Sequence, residues 1–490
     1  MTTTKPLPTV NARNAAVAES SPHTPELARY DLIVIGGGQG GTALAVAAAK
    51  AGKKAALIEK NAVGGSCINV GCTPSKALVA AAMRAHLART AGDLGVHAPP
   101  RIDGPAVLDR VRRIREDARS SLRETLDDGP VELIDGEASF ESESTIRIGE
   151  HTIEADRIVI NTGSSPRIPD IEGLHETGFL TNENVFDLED VPGSIILVGG
   201  GGIGCELGQA FARLGSSVCI VQHDCRLLPF AEDEVSRRLE TQFEKEDVGV
   251  VLGASPIRAF RDETSGVSLE LNTGETLAAD RLLVAPGREP NTGPLNLGAA
   301  DVDVDEKGRV LIDSDFRTSN KRVFALGDVT PRPNFTHVSY EDHRRVAAVL
   351  LNDDQSSRPD DADRSKRDLP LAWAFFTDPE VAVVGPTAEQ AEERGIDAVV
   401  RDFSLDASQK AREWSEPGGH IRLIAERGTG RLVGATLIAR GAAELAAALV
   451  ALISQRATWR DLEQQMHIHP TYGELLPSAA RRFLTDDSEA

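Results

Sequence analysis

Blocks of apolar residues broken by glycine recur along the chain, and one arrangement appears twice. In "YDLIVIGGGQGGTALAVAAAKAGKKAALIEK" (30–60) an apolar run leads into a glycine turn, an alanine-rich stretch of helical period, and a second apolar run. That order predicts a β-α-β unit. The same order returns in "SIILVGGGGIGCELGQAFARLGSSVCIVQHD" (194–224), about 160 residues later. Between the copies, residues 76–89 and "VLDRVRRIREDARSSLRETL" (107–126) have helical composition, and "DRIVINTGSSPRIPDIEGL" (156–174) predicts a strand entering a proline-punctuated crossover. "DRLLVAPGREPNT" (280–292) and "RVFALGDVTPRP" (322–333) read as strands running into turns.

Residues 352–368 contain almost no apolar side chain and predict a surface linker. The chain thus divides into a disordered tail (1–28), a first nucleotide-binding part (29–165) and a second nucleotide-binding domain (166–286). A return to the first domain (287–351), the linker (352–369) and a C-terminal domain (370–484) complete it. The fold class is α/β, with two Rossmann-like units and a C-terminal α+β domain.

Each repeat carries a phosphate-binding turn. In the first, Gly36, Gly38 and Gly41 open the helix, and Glu59 closes the next strand where an acid meets a ribose 2′-hydroxyl. Glycine lets the backbone approach a pyrophosphate, whose charge the helix N-terminus stabilises. In the second, the glycines are Gly199, Gly201 and Gly204, but the ribose position holds Gln222, followed by His223 and Asp224. Neither acid nor arginine stands there, so charge does not separate NAD from NADP. Arg226 reads as a solvated surface arginine rather than a 2′-phosphate ligand.

"GGSCINVGCTPSK" (64–76) places Cys67 and Cys72 five positions apart. On one regular helix their Cα atoms would stand roughly 8.6 Å apart, against about 4.4–6.8 Å for a disulfide. The helix therefore has to break between them. Pro74 suits the first helical position, with Thr73 as N-cap and Gly71 bending the chain. Cys72 then precedes a helix N-terminus, which favours a thiolate. Two nucleotide units and such a pair imply a relay from nicotinamide through a flavin to a disulfide, because hydride transfer and thiolate chemistry need an intermediary.

Composition narrows the classes. The 490 residues allow roughly three domains of about 150 residues. Net charge is −22, which disfavours nucleic acid as a partner and suits a salt-tolerant host. Five cysteines form no secreted disulfide framework, no apolar run is long enough for a membrane span, and the first 28 residues lack the apolar core of a secretory signal. We expect a cytoplasmic protein with no metal site. Cys205 and Cys219 read as buried packing residues, Cys225 as an exposed turn thiol, and "AEDEV" (231–235) as a solvated helix start.

Taken in series, "GGGQGG", "GGSCINVGCTPSK", "NTG", "GGGGIGCE", "APGREPN", "ALGD", "FTDPE" and "HPTYGE" resemble the class I pyridine nucleotide–disulfide oxidoreductases, the family of dihydrolipoamide dehydrogenase, glutathione reductase and mercuric reductase. The resemblance runs from Tyr30 to about Leu484 and implies FAD, NAD or NADP, a homodimer and a small disulfide or dithiol substrate. By that resemblance Cys72 is the thiol against the flavin, Cys67 the interchange thiol, and Lys76 the lysine beside flavin N5, paired with Glu206. Asp328 matches a ribityl ligand, while Thr162, Gly163, Gly136 and Gly287 match positions lining the cofactor cavities. His469 matches the acid–base histidine, serving the opposite subunit, and Glu474 its orienting carboxylate. Imidazole suits proton transfer near neutral pH, and a carboxylate fixes its tautomer. His467 reads as structural.

Gly202 departs from the pattern, since many members carry tyrosine or another bulky residue there. Its absence is expected to leave the nicotinamide pocket more open. A mercuric-reductase-like activity is the main alternative, although "RRFLTDDSEA" lacks the vicinal cysteines that would receive soft Hg(II). A non-catalytic flavin-bound sensor is the other.

Overall fold

The computed structural model describes residues 27–351 and 369–485, except 98, 263–265, 407 and 417. The linker over 352–368 and nearly all of the expected tail lie outside the described residues. The first strand, β1, starts at Ala28, inside the stretch expected to be tail.

The first repeat folds as β1 (Ala28–Ile35), α1 (Gln39–Lys50) and β2 (Ala55–Glu59). The dithiol segment and a long helix, α4 (Gly104–Asp127), follow. Then come β3 (Glu132–Asp135), β4 (Ala138–Phe140), β5 (Thr145–Ile148) and β6 (His151–Ile160). These strands form one sheet in the order β3-β2-β1-β6-β5-β4, and Val323–Ala325 from far along the chain adds a parallel strand beside β6. Alternate residues of β1 face opposite layers: Ile33 and Ile35 join one buried cluster, Leu32 and Val34 the other. Both faces are covered, which is why the run reads as continuously apolar.

The second repeat builds a smaller parallel sheet. Its strands are β7 (Ser194–Val198), β8 (Ser217–Gln222), Gly249–Leu252 and Arg281–Val284, with α5 (Gly202–Arg213) between the first two. The C-terminal domain is a five-stranded antiparallel sheet that starts with Ala372–Phe375 and Glu380–Val384. The helix Ala442–Ser454 packs on it. Chain crossings between these units bring α5, the dithiol and the segment 373–378 together.

Candidate active site

The dithiol segment sits directly on the first glycine turn. Gly64 N–H donates to the Gly37 carbonyl at 2.7 Å, and a Cβ on Gly65 would lie 2.8 Å from Gly38 Cα. From there α2 (Gly65–Val70) carries Cys67 and α3 (Cys72–Thr90) begins at Cys72. The break falls at Gly71, where a Cβ would stand 2.8 Å from the Ser66 carbonyl oxygen. Cys67 is therefore helical, Gly71 rather than Thr73 is the N-cap, and Cys72 is the first helical residue instead of preceding the helix. Pro74 lies inside the first turn, where its missing N–H costs no intrahelical bond. Asn69 anchors the bend: its side-chain amide donates to the carbonyls of Ala62, Val63 and Gly65, and its oxygen accepts from Arg119.

The two thiols differ sharply. Hydrogen bonding to Cys67, aided by Thr336 and Lys76, brings the Cys72 thiol down to about 6. The same sulfur–sulfur hydrogen bond, with burial, pushes Cys67 well above the ordinary thiol range. Thr336 Oγ1 stands 3.4 Å from Cys72 Sγ. It comes from the start of the helix Thr336–Leu351, 264 residues on, and nothing in its local sequence marks it as a ligand.

Lys76 Nζ pairs with Glu206 Oε2 at 2.7 Å and lies over the Phe376 ring, 4.7 Å from its centroid. Glu206 is 6% exposed, and its other oxygen accepts the Phe376 N–H at 2.8 Å. This pairing offsets the cost of burying the carboxylate.

Several of the cofactor positions expected in the first unit are tied to one another by hydrogen bonds. Gly36 has φ +106°, and a Cβ there would lie 2.7 Å from the Asn161 carbonyl carbon. Glu59 Oε2 accepts the Gly37 N–H at 2.7 Å. Gly136, whose N–H donates to the Glu59 carbonyl, presses against Ile148. Thr162 and Asn291 bond reciprocally, and the Asn291 N–H donates to Gly163. Asp328 accepts from Ser164 at 2.9 Å, and burial raises its carboxyl above the usual range. Gly287 precedes Arg288, whose guanidinium donates to Ser164 and Ser66 and lies 3.9 Å from Asp328. Sequence reasoning passed over Arg288; "APGREPN" was the signal.

These residues fit FAD. A glycine turn with close-packed backbone, an acid at the ribose position and a buried carboxylate with unused acceptor sites meet its pyrophosphate, ribose and ribityl hydroxyls in turn.

In the second unit Gly199 has φ +112°, and a Cβ on Gly204 would collide with the Gly199 carbonyl. Space in front of Gly201 is open. Gln222 is buried, accepts the Gly200 N–H at 2.8 Å and donates to Asp224 at 2.6 Å. Arg226 is held by Asp233 and the Pro229 carbonyl. Gly202 leaves no gap: a Cβ there would overlap the Phe375 ring, with Cζ at 2.7 Å, so the pocket expected to be more open is filled from the C-terminal domain.

His469 Nδ1 and Glu474 Oε2 are 2.7 Å apart, with His469 well exposed. Among the described contacts of one chain, none joins His469 to Cys67 or Cys72. His467 has its Nε2 buried without a partner. Cys205 is buried and Cys225 exposed, as expected, but Cys219 is only half-buried. Glu232 of "AEDEV" is not simply solvated: it pairs with Arg422 at 2.7 Å across to the C-terminal domain.

Two family models account for most of the chain: pyridine nucleotide-disulphide oxidoreductase over residues 30–342, and the dimerisation domain of the same family over 371–480. The chain belongs to the pyridine nucleotide-disulphide oxidoreductases. Relatives of this family include a mercuric reductase of Bacillus cereus, 34% identical over 94% of this chain and 72% of that protein. A dihydrolipoyl dehydrogenase of Haloferax volcanii is 33% identical over 93% of this chain and 96% of its own length. Among solved structures, the Cu(II) complex of the HOCl-induced flavoprotein disulfide reductase RclA from Escherichia coli superposes with TM-score 0.82 at 29% identity, covering 93% of this chain and 100% of that one. This pyridine nucleotide-disulphide oxidoreductase is accordingly an FAD-dependent enzyme that uses NAD(P)H in disulfide chemistry. Among the described residues, no helix is long and apolar enough to cross a membrane, and no cluster of His, Cys, Asp and Glu is arranged to hold a metal.

Proposed function

We propose that Cys67 and Cys72 are the redox pair of a cytoplasmic enzyme that moves two electrons between NAD(P)H and a small disulfide or dithiol. The observation that carries this reading is the unequal pair of thiols, one lowered and one raised, on two helices interrupted at Gly71. When bound, FAD would supply the two-electron chemistry that links the nicotinamide to the cystine.

In the reducing direction Cys67 attacks one substrate sulfur, forming a mixed disulfide and expelling the other half as a thiolate. Cys72 then attacks Cys67 Sγ, closing the Cys67–Cys72 bond and expelling the second half. Two substrate sulfurs are reduced and two cysteine sulfurs oxidised. The proton taken from Cys67 goes to one leaving thiolate, and a solvent proton goes to the other. Cys72 needs no base, because it is already a thiolate near neutral pH. Cys67 does need one, and His469 oriented by Glu474 is the group we assign, acting from the second copy of a homodimer. Its exposure, beside exposed Met466 and Ile468 on the dimerisation domain, supports that arrangement. Lys76, held by Glu206, supplies the positive charge near the thiolate.

The test is anaerobic reduction of the holoenzyme by NADH or NADPH. Long-wavelength thiolate-to-flavin absorbance should appear, fall away as pH drops through about 6, and be absent in Cys72→Ser. Thr336→Val should move that midpoint upward, because the hydroxyl helps to hold the thiolate. Lipoamide, glutathione disulfide and Hg(II) are then added in turn. Reoxidation by Hg(II) alone would replace the disulfide substrate with metal-ion reduction.

A further inference from the structure

We propose that Phe375 is a movable aromatic cover of the nicotinamide pocket, contributed by the C-terminal domain in the space that a side chain at position 202 would otherwise take. The inference rests on the reading of the second glycine turn as the nicotinamide dinucleotide site.

Gly202 is the first residue of α5, directly after the glycine turn, and the Phe375 ring lies against its backbone so closely that even a Cβ would overlap it. The ring belongs to an aromatic group that spans three parts of the chain. Its centroid is 5.2 Å from Trp373, 5.5 Å from Phe230 and 6.2 Å from Phe335. Phe230 comes from the loop after the strand Ser217–Gln222 and is 44% exposed, so the group opens toward solvent on that side. On the other side Phe335 adjoins Thr336, the residue on Cys72 Sγ. The aromatic group therefore stands between the second glycine turn and the dithiol.

The neighbouring backbone is fixed while the ring is not. Phe376 N–H is tied to Glu206, so the strand end cannot move without breaking that bond. Phe375 itself is half-buried: its ring packs at the margin of the buried cluster around α5 and meets Trp373 and Phe230 at tilted angles of 51° and 55°, contacts that a side-chain rotation can exchange. Closure and opening are then a rotamer change, and the dinucleotide binds the open form. Its apparent affinity is lowered by the fraction of molecules that are closed.

Two substitutions attack the closed form from opposite sides. Gly202→Ala introduces the overlapping Cβ, and Phe375→Ala removes the ring. Each should tighten NAD+ binding to the oxidised holoenzyme by about three- to tenfold in calorimetry, and the double variant should tighten it no further. Trp373 gives an independent readout: NAD+ should change its emission in the parent and not in Phe375→Ala, with Trp373→Phe assigning the signal among the three tryptophans. Additive effects, or weaker binding in both single variants, would make Phe375 a packing residue and overturn the proposal. A parent that binds NAD+ with the same affinity as both variants also sinks the cover while leaving the nicotinamide site intact. A parent that binds neither NAD+ nor NADP+ removes the site itself, and the cover with it.

Discussion

Set side by side at a constant offset of 163 positions, the two dinucleotide units share a backbone and differ in what their helices carry. Gly37 N–H donates to Glu59 in one, and Gly200 N–H donates to Gln222 in the other, at 2.7 and 2.8 Å. Beyond that bond the units diverge. Glu59 spends its second oxygen on the Asn61 N–H, whereas Gln222 turns its amide toward Asp224. The helix positions diverge further: Ala43, Val46 and Lys50 on α1 correspond to Glu206, Gln209 and Arg213 on α5. α1 is a packing element under its own sheet. α5 is a junction, bonding through Glu206, Gln209 and Arg213 to Phe376 and Asp378 of the C-terminal domain and, by Lys76, to the dithiol helix. One fold thus serves first as a self-contained unit and then as the part that ties the dithiol helix to the C-terminal domain, which suits the flavin and nicotinamide roles we propose for the two.

The most forceful way to break this comparison is to neutralise the last of those positions in each helix. Arg213 is 4% exposed and bridges Glu246 at 2.6 Å and Asp378 at 2.9 Å. Arg213→Met leaves two buried carboxylates without their cation and should lower stability by about 3–5 kcal/mol. Lys50→Met, at the equivalent but exposed position, should change it by less than about 0.5 kcal/mol. Urea unfolding of the two variants measures the contrast. Equal midpoints would mean that α5 bears no special load.

Next in size are the glycines that let helix meet strand. A Cβ on Gly41 would strike the Gly36 carbonyl, and one on Gly204 the Gly199 carbonyl. Overpacking of this kind costs about 1–3 kcal/mol. Gly41→Ala should purify with most of its flavin lost, read as visible absorbance per chain. Gly204→Ala should keep its flavin and require roughly ten- to a hundredfold more NADH for reduction. If both variants lost flavin alike, the division of labour between the turns would be wrong.

The sequence made legible whatever is decided within about thirty residues. The β-α-β periods, both glycine turns, the acid at Glu59, the broken helix between the cysteines and the His469–Glu474 spacing all follow from local needs of backbone and charge. Contacts made across domains left no such trace. Thr336 reaches Cys72, Arg288 reaches Ser66, and Phe375 fills the space over Gly202 only because the chain crosses between domains after each repeat. A missing side chain at 202 reads as a gap when only its own helix is considered. Tertiary packing supplied a ring from 173 positions away. Thr73 misled for a smaller reason: a good capping residue was available, but the close approach of Gly71 to Ser66 starts the helix two residues sooner.

The finest contrast lies at the ribose position itself. Making the second unit resemble the first by Gln222→Glu ought to add an acceptor for a ribose hydroxyl, yet the amide it replaces donates to Asp224 Oδ2 at 2.6 Å. The new carboxylate would face that oxygen, so NADH binding should weaken by about fivefold, near 1 kcal/mol. Removing the opposing charge as well, in Gln222→Glu with Asp224→Asn, should restore or exceed the parent affinity, because the pair is then acid and amide with the roles exchanged. NADPH should stay the poorer ligand throughout. Asp224 repels a 2′-phosphate in the parent and in Gln222→Glu, the carboxylate at position 222 does so in the double variant, and Arg226, the nearest arginine in sequence, is already held by Asp233 and Pro229. Equilibrium titration of the oxidised enzyme with both reduced dinucleotide analogues measures the parent and the two variants. Tighter binding by Gln222→Glu alone would show that the hydrogen bond to Asp224 does not govern this corner.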